Sequence, residues 1–322
     1  MPKPLYLVDA SIYIFQAYFS PHLEVWGEDG RDLSAFLGYA QFLQRFLRQT
    51  RPEHIAVAFD ESLFCGFRHT LYPDYKSNRV LPDPDLERQL FACAELTAAM
   101  GVRGFASKVY EADDIIGTLA ARYRAQNAAQ ALVGEAVSIV SRDKDLAQLL
   151  RGEGDHVWDF SGSLRRFHDD IVRQYGIRPS QFPDYLGLVG DAVDCIPGVP
   201  GVGPVAACAL LQHFQTLPQL YDNLSEVASL SYRGAKKGAE LLKQHQEIAM
   251  LSRQLATIVE DVDHPEEVFS SIESAQLLWS APQPEHVADI LQRMQLDSIA
   301  TERYLALLGS LTPTTPAQGL AS

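Results

Sequence analysis

The sequence predicts an α/β fold with a mostly parallel central sheet flanked by helices, followed by a smaller helical region. Three short, nearly continuous apolar runs (5–8, 55–59 and 137–140) read as strands buried on both faces of a sheet. Stretches with apolar residues at helical spacing lie between them, and alternation of strand and helix implies parallel strands. Past about residue 176 the composition shifts to Pro179 and Pro183, then Pro197, Gly198, Pro200, Gly201, Gly203 and Pro204, then helical stretches such as 238–250.

Each element has its own signal. The first strand, Leu-Tyr-Leu-Val, runs into Asp9. A helix follows Ser34, its expected N-cap, with Phe36, Tyr39, Ala40, Leu43, Phe46 and Leu47 along one stripe. The second strand, Ile-Ala-Val-Ala-Phe, ends at Asp60. Another helical pattern (Leu86, Leu90, Cys93, Ala94, Ala98) lies between Asp85, expected to cap it, and Gly101, expected to stop it. Acids at 111, 113 and 114 precede Ile115-Ile116-Gly-Thr-Leu119, and the third strand leads to Asp143 and Asp145. The domain division expected is 1–175 for the α/β core, with residues 61–100 inserted in it, 176–310 for the helical region, and a disordered tail at 311–322, where Thr-Pro-Thr-Thr-Pro-Ala-Gln is too poor in apolar residues to pack.

A chain of 322 residues with 47% hydrophobic positions can bury one large core or two modest ones. Its net charge of −14 argues against wholesale binding to a polyanion or an anionic membrane. The charge is uneven: ten acids against Arg293 and Arg303 from residue 260 onward give −8, leaving −6 for the first 259 residues, where any nucleic-acid face is expected. Cys65, Cys93, Cys195 and Cys208 have neither zinc-site nor disulfide-framework spacing, which fits a reducing compartment. No signal peptide or membrane span is legible, so a soluble cytoplasmic protein is expected.

Every predicted strand ends in acids. Adjacent parallel strands bring Asp9, Asp60, Asp143 and Asp145 together at the carboxyl edge of the sheet, where ligands bind in open α/β folds. For a single Asp, helix capping is the ordinary explanation; for all three strands at once it is not. Acids in a first helical turn suit the helix dipole, yet Glu111, Asp113 and Asp114 within four residues repel one another and call for a cation. Asp191 and Asp194 in Gly-Asp-Ala-Val-Asp would point one way from a helical turn. These nine carboxylates, without paired histidine or thiol, favour hard ions such as Mg²⁺ or Mn²⁺. Two such ions would polarise a phosphodiester, so phosphoryl chemistry is implied.

Two further segments point to nucleic acid. Between Asp60 and the helix at 86, Arg68, His69, Tyr72, Tyr75, Lys76 and Arg79 alternate bases with aromatics, as a single-strand channel requires, although composition alone allows a solvated loop. The run Ile196-Pro-Gly198-Val199-Pro-Gly201-Val202-Gly203 opens an apolar helix, and such a turn can hold phosphate on backbone N–H groups; the plain alternative is an interhelical turn.

Taken together, these segments resemble the 5′ nuclease superfamily, most closely the N-terminal 5′-3′ exonuclease portion of bacterial family A DNA polymerases in a free-standing form. The matching motifs are Leu7-Val-Asp9, Ala58-Phe-Asp60, Phe67-Arg-His, Asp74-Tyr-Lys-Ser-Asn-Arg79, Glu111-Ala-Asp-Asp, Asp143-Lys-Asp-Leu, Gly190-Asp-Ala-Val-Asp194, Ile196 to Gly203 and Leu251-Ser-Arg-Gln-Leu, covering residues 5–262 in order. The resemblance implies a PIN-like core with a helical arch at about 61–100 and a helix-hairpin-helix region. It implies a monomeric 5′-3′ exonuclease and flap endonuclease acting on DNA with a 5′ flap, nick or 5′ end in repair or replication. By the same analogy Asp9, Asp60, Glu111 and Asp113 serve one Mg²⁺ and Asp143, Asp145 and Asp191 a second, with Asp114 and Asp194 nearby through waters and Mn²⁺ able to substitute. Arg68, Lys76 and Arg79 would grip the 5′ strand from the arch. Phe15 would stack on a base, and Gly198, Val199, Gly201, Val202 and Gly203 would bind duplex phosphates and a K⁺. Arg142 stands where relatives commonly carry Gly and is expected to meet substrate; Cys65 and Val205 stand where Lys is frequent. The rival readings are a non-catalytic branched-DNA binding protein, which predicts gaps among the nine acids, and a phosphatase with Asp9 as nucleophile, which has little use for the glycine turn.

Overall fold

The computed structural model describes residues 4–20, 25–129, 136–232 and 234–313. Strands β1 (Leu5–Asp9), β2 (Ile55–Asp60), β3 (Arg103–Ser107), β4 (Val137–Val140), β5 (His156–Asp159) and β6 (Leu164–Phe167) form one sheet in the order β3-β2-β1-β4-β5-β6. All neighbours are parallel except the antiparallel edge pair β5 and β6. The chain winds outward from β1 through β2 to β3, then returns to the other side of β1 for β4. That reversal opens a crevice beyond the carboxyl end of β1.

The three apolar runs are the three central strands, buried throughout except for Asp60. The other three gave no such signal. In β3 only Phe105 and Ser107 are buried, β5 is His-Val-Trp-Asp, and β6 is mostly exposed, so each lacks the continuous apolar run of a central strand.

Alternate strand residues face two cores. Tyr6, Val8, Ile55, Val57 and Phe59 pack under helices α1 (Ala10–Tyr18), α2 (Ser34–Thr50) and α4 (Pro84–Ala99). Leu5, Leu7, Ala56, Ala58, Val137 and Ile139 meet α5 (Ala112–Ala129) on the other face. Between these come the short α3 (Phe67–Leu71) and, after the sheet, α6 (His168–Tyr175). The helical region comprises α7 (Phe182–Val189), α8 (Pro204–Phe214), α9 (Leu217–Asp222), α10 (Leu224–Val227), α11 (Ala235–Gln244) and α12 (Gln246–Ala256), and it shares the α5 core without a break.

Some expectations change. Helices α13 (Pro284–Arg293) and α14 (Ser298–Leu308) lie not with the helical region but on the α2–α4 core, through Val287, Ile290, Leu291, Tyr304 and Leu308. The Trp279 indole N–H donates to Met100 O at 3.0 Å and fastens this return. Leu311 is buried there too, so the chain packs past the expected start of the tail; residues 314–322 lie outside the described residues. Ser34 is the first helical residue rather than the cap, and the carboxylate of Asp32 accepts from its N–H at 3.0 Å. Asp83, not Asp85, caps α4, accepting from the N–H groups of Asp85 and Leu86, and Pro84 fits the first helical position because it has no N–H to satisfy. Gly101 follows α4 at φ +76°, as its stop signal implied. Among the described residues no helix is long and apolar enough to cross a membrane.

Candidate active site

Every site carboxylate sits at, or just beyond, the carboxyl edge of the sheet. Asp9 ends β1 and opens α1 by accepting the Ser11 N–H at 3.1 Å. Its other oxygen accepts the Ser141 hydroxyl at 3.0 Å, and Ser141 Oγ in turn accepts the Asp143 N–H at 3.0 Å. Asp60 ends β2 and accepts from both the N–H and the hydroxyl of Ser62. Glu111 follows β3, Asp113 stands in the first turn of α5, and Asp143 and Asp145 follow β4, with the Asp145 N–H donated to Asp143 at 2.8 Å. Asp191 and Asp194 lie in a turn closed by a bridge between Asp191 and Ile196, rather than in a helical turn.

Electrostatics tie these acids into one cluster. Burial first, then the charges of Asp143 and Asp60, push Asp9 up to about 7 against the relief given by Ser141. Burial and the charge of Asp143 likewise push Asp145 up to about 7. Asp113 is raised well above the carboxylate range by burial and by Asp143 and Asp9. The buried Asp145 Oδ1 has no hydrogen-bond partner among the described residues. A buried oxygen without a hydrogen-bond donor, met only by the Lys144 ammonium at 3.5 Å and set among mutually repelling, oxygen-only donors, suits a hard divalent cation. As the side chains stand, no three His, Cys, Asp or Glu among the described residues form a group able to hold an ion.

Cations occupy part of that ring. Lys76 Nζ is 2.9 Å from Glu111, whose other oxygen accepts the Tyr75 hydroxyl at 3.0 Å. Burial alone would raise Glu111, but Lys76 and Arg68 hold it below its ordinary value. Lys144 Nζ pairs with Asp191 and lies 3.5 Å from Asp145, and Arg79 is 3.2 Å from Asp194. Sequence reasoning singled out neither Lys144, whose place between two acids was the available signal, nor Ser141, which carried none.

Other expected site residues lie elsewhere. Arg68 is not on a strand-gripping surface: its side chain is 3% exposed and its guanidinium forks onto Asp114 at 2.6 and 2.8 Å. Asp114 is correspondingly removed from the ligand set, since both oxygens are taken by Arg68 and by the N–H groups of Glu111 and Val259. Much of the segment expected as a helical arch packs into the rest of the fold. Arg68 and Tyr75 within it are buried, Lys76 and Arg79 turn to the carboxylates, and α4 belongs to the core. Arg142 is half-exposed, 3.4 Å from Asp159. Phe15 is half-buried and stacks at 6.2 Å on Phe19, a 74% exposed ring that sequence reasoning missed.

The glycine turn joins α7 to α8. Gly198 and Gly201 have φ of +65° and +84°, and a Cβ on Gly198 would stand 2.3 Å from the Gly190 nitrogen, so only glycine fits this close approach. Val199 and Val202 are buried and anchor the turn, while Gly201, Gly203 and Val205 are exposed at the start of α8.

Raised carboxylates imply a pH signature. A carboxyl that titrates near 7 when folded and near 4 when unfolded leaves stability intact below about pH 4 and subtracts from it as pH rises through 7. Asp145→Asn in EDTA should therefore melt above the parent at pH 8, by the equivalent of about 2 to 4 kcal/mol, and match it near pH 4. Equal melting temperatures at both pH values would mean that Asp145 is not strained by its neighbours.

Similarity to known proteins agrees with this geometry. Residues 4–176 match the 5′-3′ exonuclease N-terminal resolvase-like domain, and residues 177–276 the 5′-3′ exonuclease C-terminal SAM fold. The chain is 35% identical over 261 residues to a 5′-3′ exonuclease of Buchnera aphidicola, covering 81% of this chain and 88% of that one. It is also 35% identical over 267 residues to DNA polymerase I of Bacillus caldotenax, covering 81% of this chain but 28% of that enzyme. In fold it is similar to the T5 5′-exonuclease with divalent metal ions (zinc) bound, at TM-score 0.59 and 17% identity, covering 96% of this chain and 100% of the other. A similar likeness, TM-score 0.60 at 16% identity over 97% and 93% of the two chains, holds for the catalytic core of Rad2 in complex with DNA substrate.

Proposed function

Because the chain belongs to the 5′-3′ exonuclease family, we propose that it is a metal-dependent, structure-specific 5′ nuclease, hydrolysing phosphodiesters of DNA at 5′ ends, nicks and flaps as a cytoplasmic monomer. The observation that carries this reading is the convergence of Asp9, Asp60, Glu111, Asp113, Asp143, Asp145, Asp191 and Asp194 at the β1 crevice, with Asp145 Oδ1 left without a hydrogen-bond donor. Asp9, Asp60, Glu111 and Asp113 would hold one Mg²⁺ and Asp143, Asp145 and Asp191 a second, with Asp194 beside them; Mn²⁺ has the same hard, oxygen-seeking chemistry. Ions held there would supply Lewis-acid polarisation of a phosphodiester and charge to offset the attacking and departing oxygens.

The chain's own residues orient that chemistry. Ser141 fixes Asp9 and the Asp143 backbone together, so the β1 and β4 carboxylates keep a constant relation. Lys76 and Arg79 reach the same cluster from the insertion, on side chains long enough to turn from Glu111 and Asp194 to a phosphate. Phe15, backed by Phe19, would receive an unstacked base. The 198–203 turn would bind duplex phosphates through backbone N–H groups, with a K⁺ on its carbonyls, and the whole helical region would serve as a duplex platform.

Lys76→Ala and Arg79→Ala test the phosphate assignment. Each should slow cleavage of a 5′-flap duplex, Lys76→Ala by about a hundredfold if its charge meets the transition state. Each should also lower the slope of log affinity against log salt by about one unit or slightly less. An unchanged slope with unchanged cleavage would mean that the two cations serve only their carboxylate partners.

A further inference from the structure

A second recess shares no lining residue with the cleft of Glu111, Asp113, Asp145 and Asp194. Arg142, Asp143 and Lys144 form one side of it, Val157 of β5 and Arg166 of β6 another, and Tyr175 of α6 closes it. Three cations thus converge beside one of the site carboxylates. Two of them have anionic partners: Arg142 meets Asp159 at 3.4 Å and Lys144 pairs with Asp191. Half-buried Arg166 has no ion-pair or hydrogen-bond partner for its side chain among the described residues, and the Tyr175 hydroxyl has none either. Asp143, the acid on the rim, is engaged through Oδ1 by the Asp145 N–H.

An unpartnered, partly desolvated guanidinium is unfavourable unless an anion meets it, and its planar fork matches two phosphate oxygens. Buried, apolar Val157, its cross-strand partner on β5, excludes water from one side and strengthens that attraction. We propose that this recess binds a phosphate of the substrate strand next to the one presented to the carboxylates, through Arg166 and Arg142, with Tyr175 donating its hydroxyl. The proposal rests on the nuclease reading and adds a strand-positioning site to it. The neighbouring Arg165 is a built-in control. Successive residues of β6 face opposite sides of the sheet, and Arg165 lies 4.2 Å over the Trp158 ring instead.

Affinity for a fluorescent 5′-flap duplex, measured by anisotropy in EDTA across a salt series, separates the outcomes. Arg166→Met, which keeps an apolar stem, should weaken binding and lower the log-log salt slope by about 0.7 to 0.9, while Arg165→Met, with the same change in net charge, should match the parent. Equal losses in the two variants would make the effect one of diffuse charge and overturn the site. Thermal melts with inorganic phosphate distinguish the ligand's source. If Arg166→Met loses a phosphate-induced rise in melting temperature but binds DNA like the parent, the recess serves free phosphate and the strand assignment fails. A parent that binds no duplex overturns the nuclease reading and this site with it, whereas a parent that binds with Arg166→Met unchanged overturns this site alone.

Discussion

Arg68→Met lowers the unfolding free energy by about 3 to 5 kcal/mol, because it strips the partner from a carboxylate that has no access to water. Asp114 is fully buried, and Arg68 offers it two donors at 2.6 and 2.8 Å. The same guanidinium donates from Nε to Leu255 O and from Nη2 to Thr257 O, both at 2.8 Å. One side chain therefore ties α3 to the start of α5 and the end of α12, across the junction of the sheet core and the helical region. Asp114 keeps the N–H groups of Glu111 and Val259 after the substitution, which limits the loss without neutralising the charge. Adding Asp114→Leu should recover part of the stability, since an apolar pair leaves no ion stranded. Urea denaturation of the parent, single and double variants checks this. A single-variant loss under about 1 kcal/mol would mean that the pair is not the fastening it resembles.

Arg68 also illustrates what a sequence conceals. Its place in a basic, aromatic-rich insertion pointed to a strand-gripping surface, yet its neighbours in space come from residues 114, 255 and 257, contacts that no local pattern encodes. Asp114 was misjudged for the same reason: membership in an acidic run does not tell which acid faces the cleft and which faces a buried arginine. By contrast, Asp9, Asp60, Asp143 and Asp145 were legible because each terminates, or closely follows, a strand whose own signal is strong, and parallel pairing forces such ends together. The outer strands β3, β5 and β6 were not legible because partial exposure removes the continuous apolar run. The return of α13 and α14 to the α2–α4 core was hidden as well, because an amphipathic helix specifies an apolar face but not the surface that covers it.

Replacing Asp143 and Asp145 together by Ala has the other large effect, a loss of cleavage of at least about a thousandfold. These two carboxylates belong to the mutually raised set with Asp9 and Asp113; neither lies on the glycine turn, and Asp143 meets the recess at Arg166 only as the acid on its rim, where its charge opposes a phosphate. Their removal takes away charge that repels DNA, so affinity for the duplex should be kept or improved, and relief of mutual repulsion should raise the melting temperature in EDTA. Loss of activity would then be separable from unfolding and from failure to bind. The decisive measurement is incubation of the parent and this double variant with a 5′-labelled flap duplex, with Mg²⁺ or with EDTA, products being sized on a gel and binding followed in parallel. The parent should give short 5′ products in Mg²⁺ and none in EDTA, and the variant should give none while still binding. Cleavage that persists in EDTA, or a double variant that cuts at the parent's rate, would contradict the proposed function.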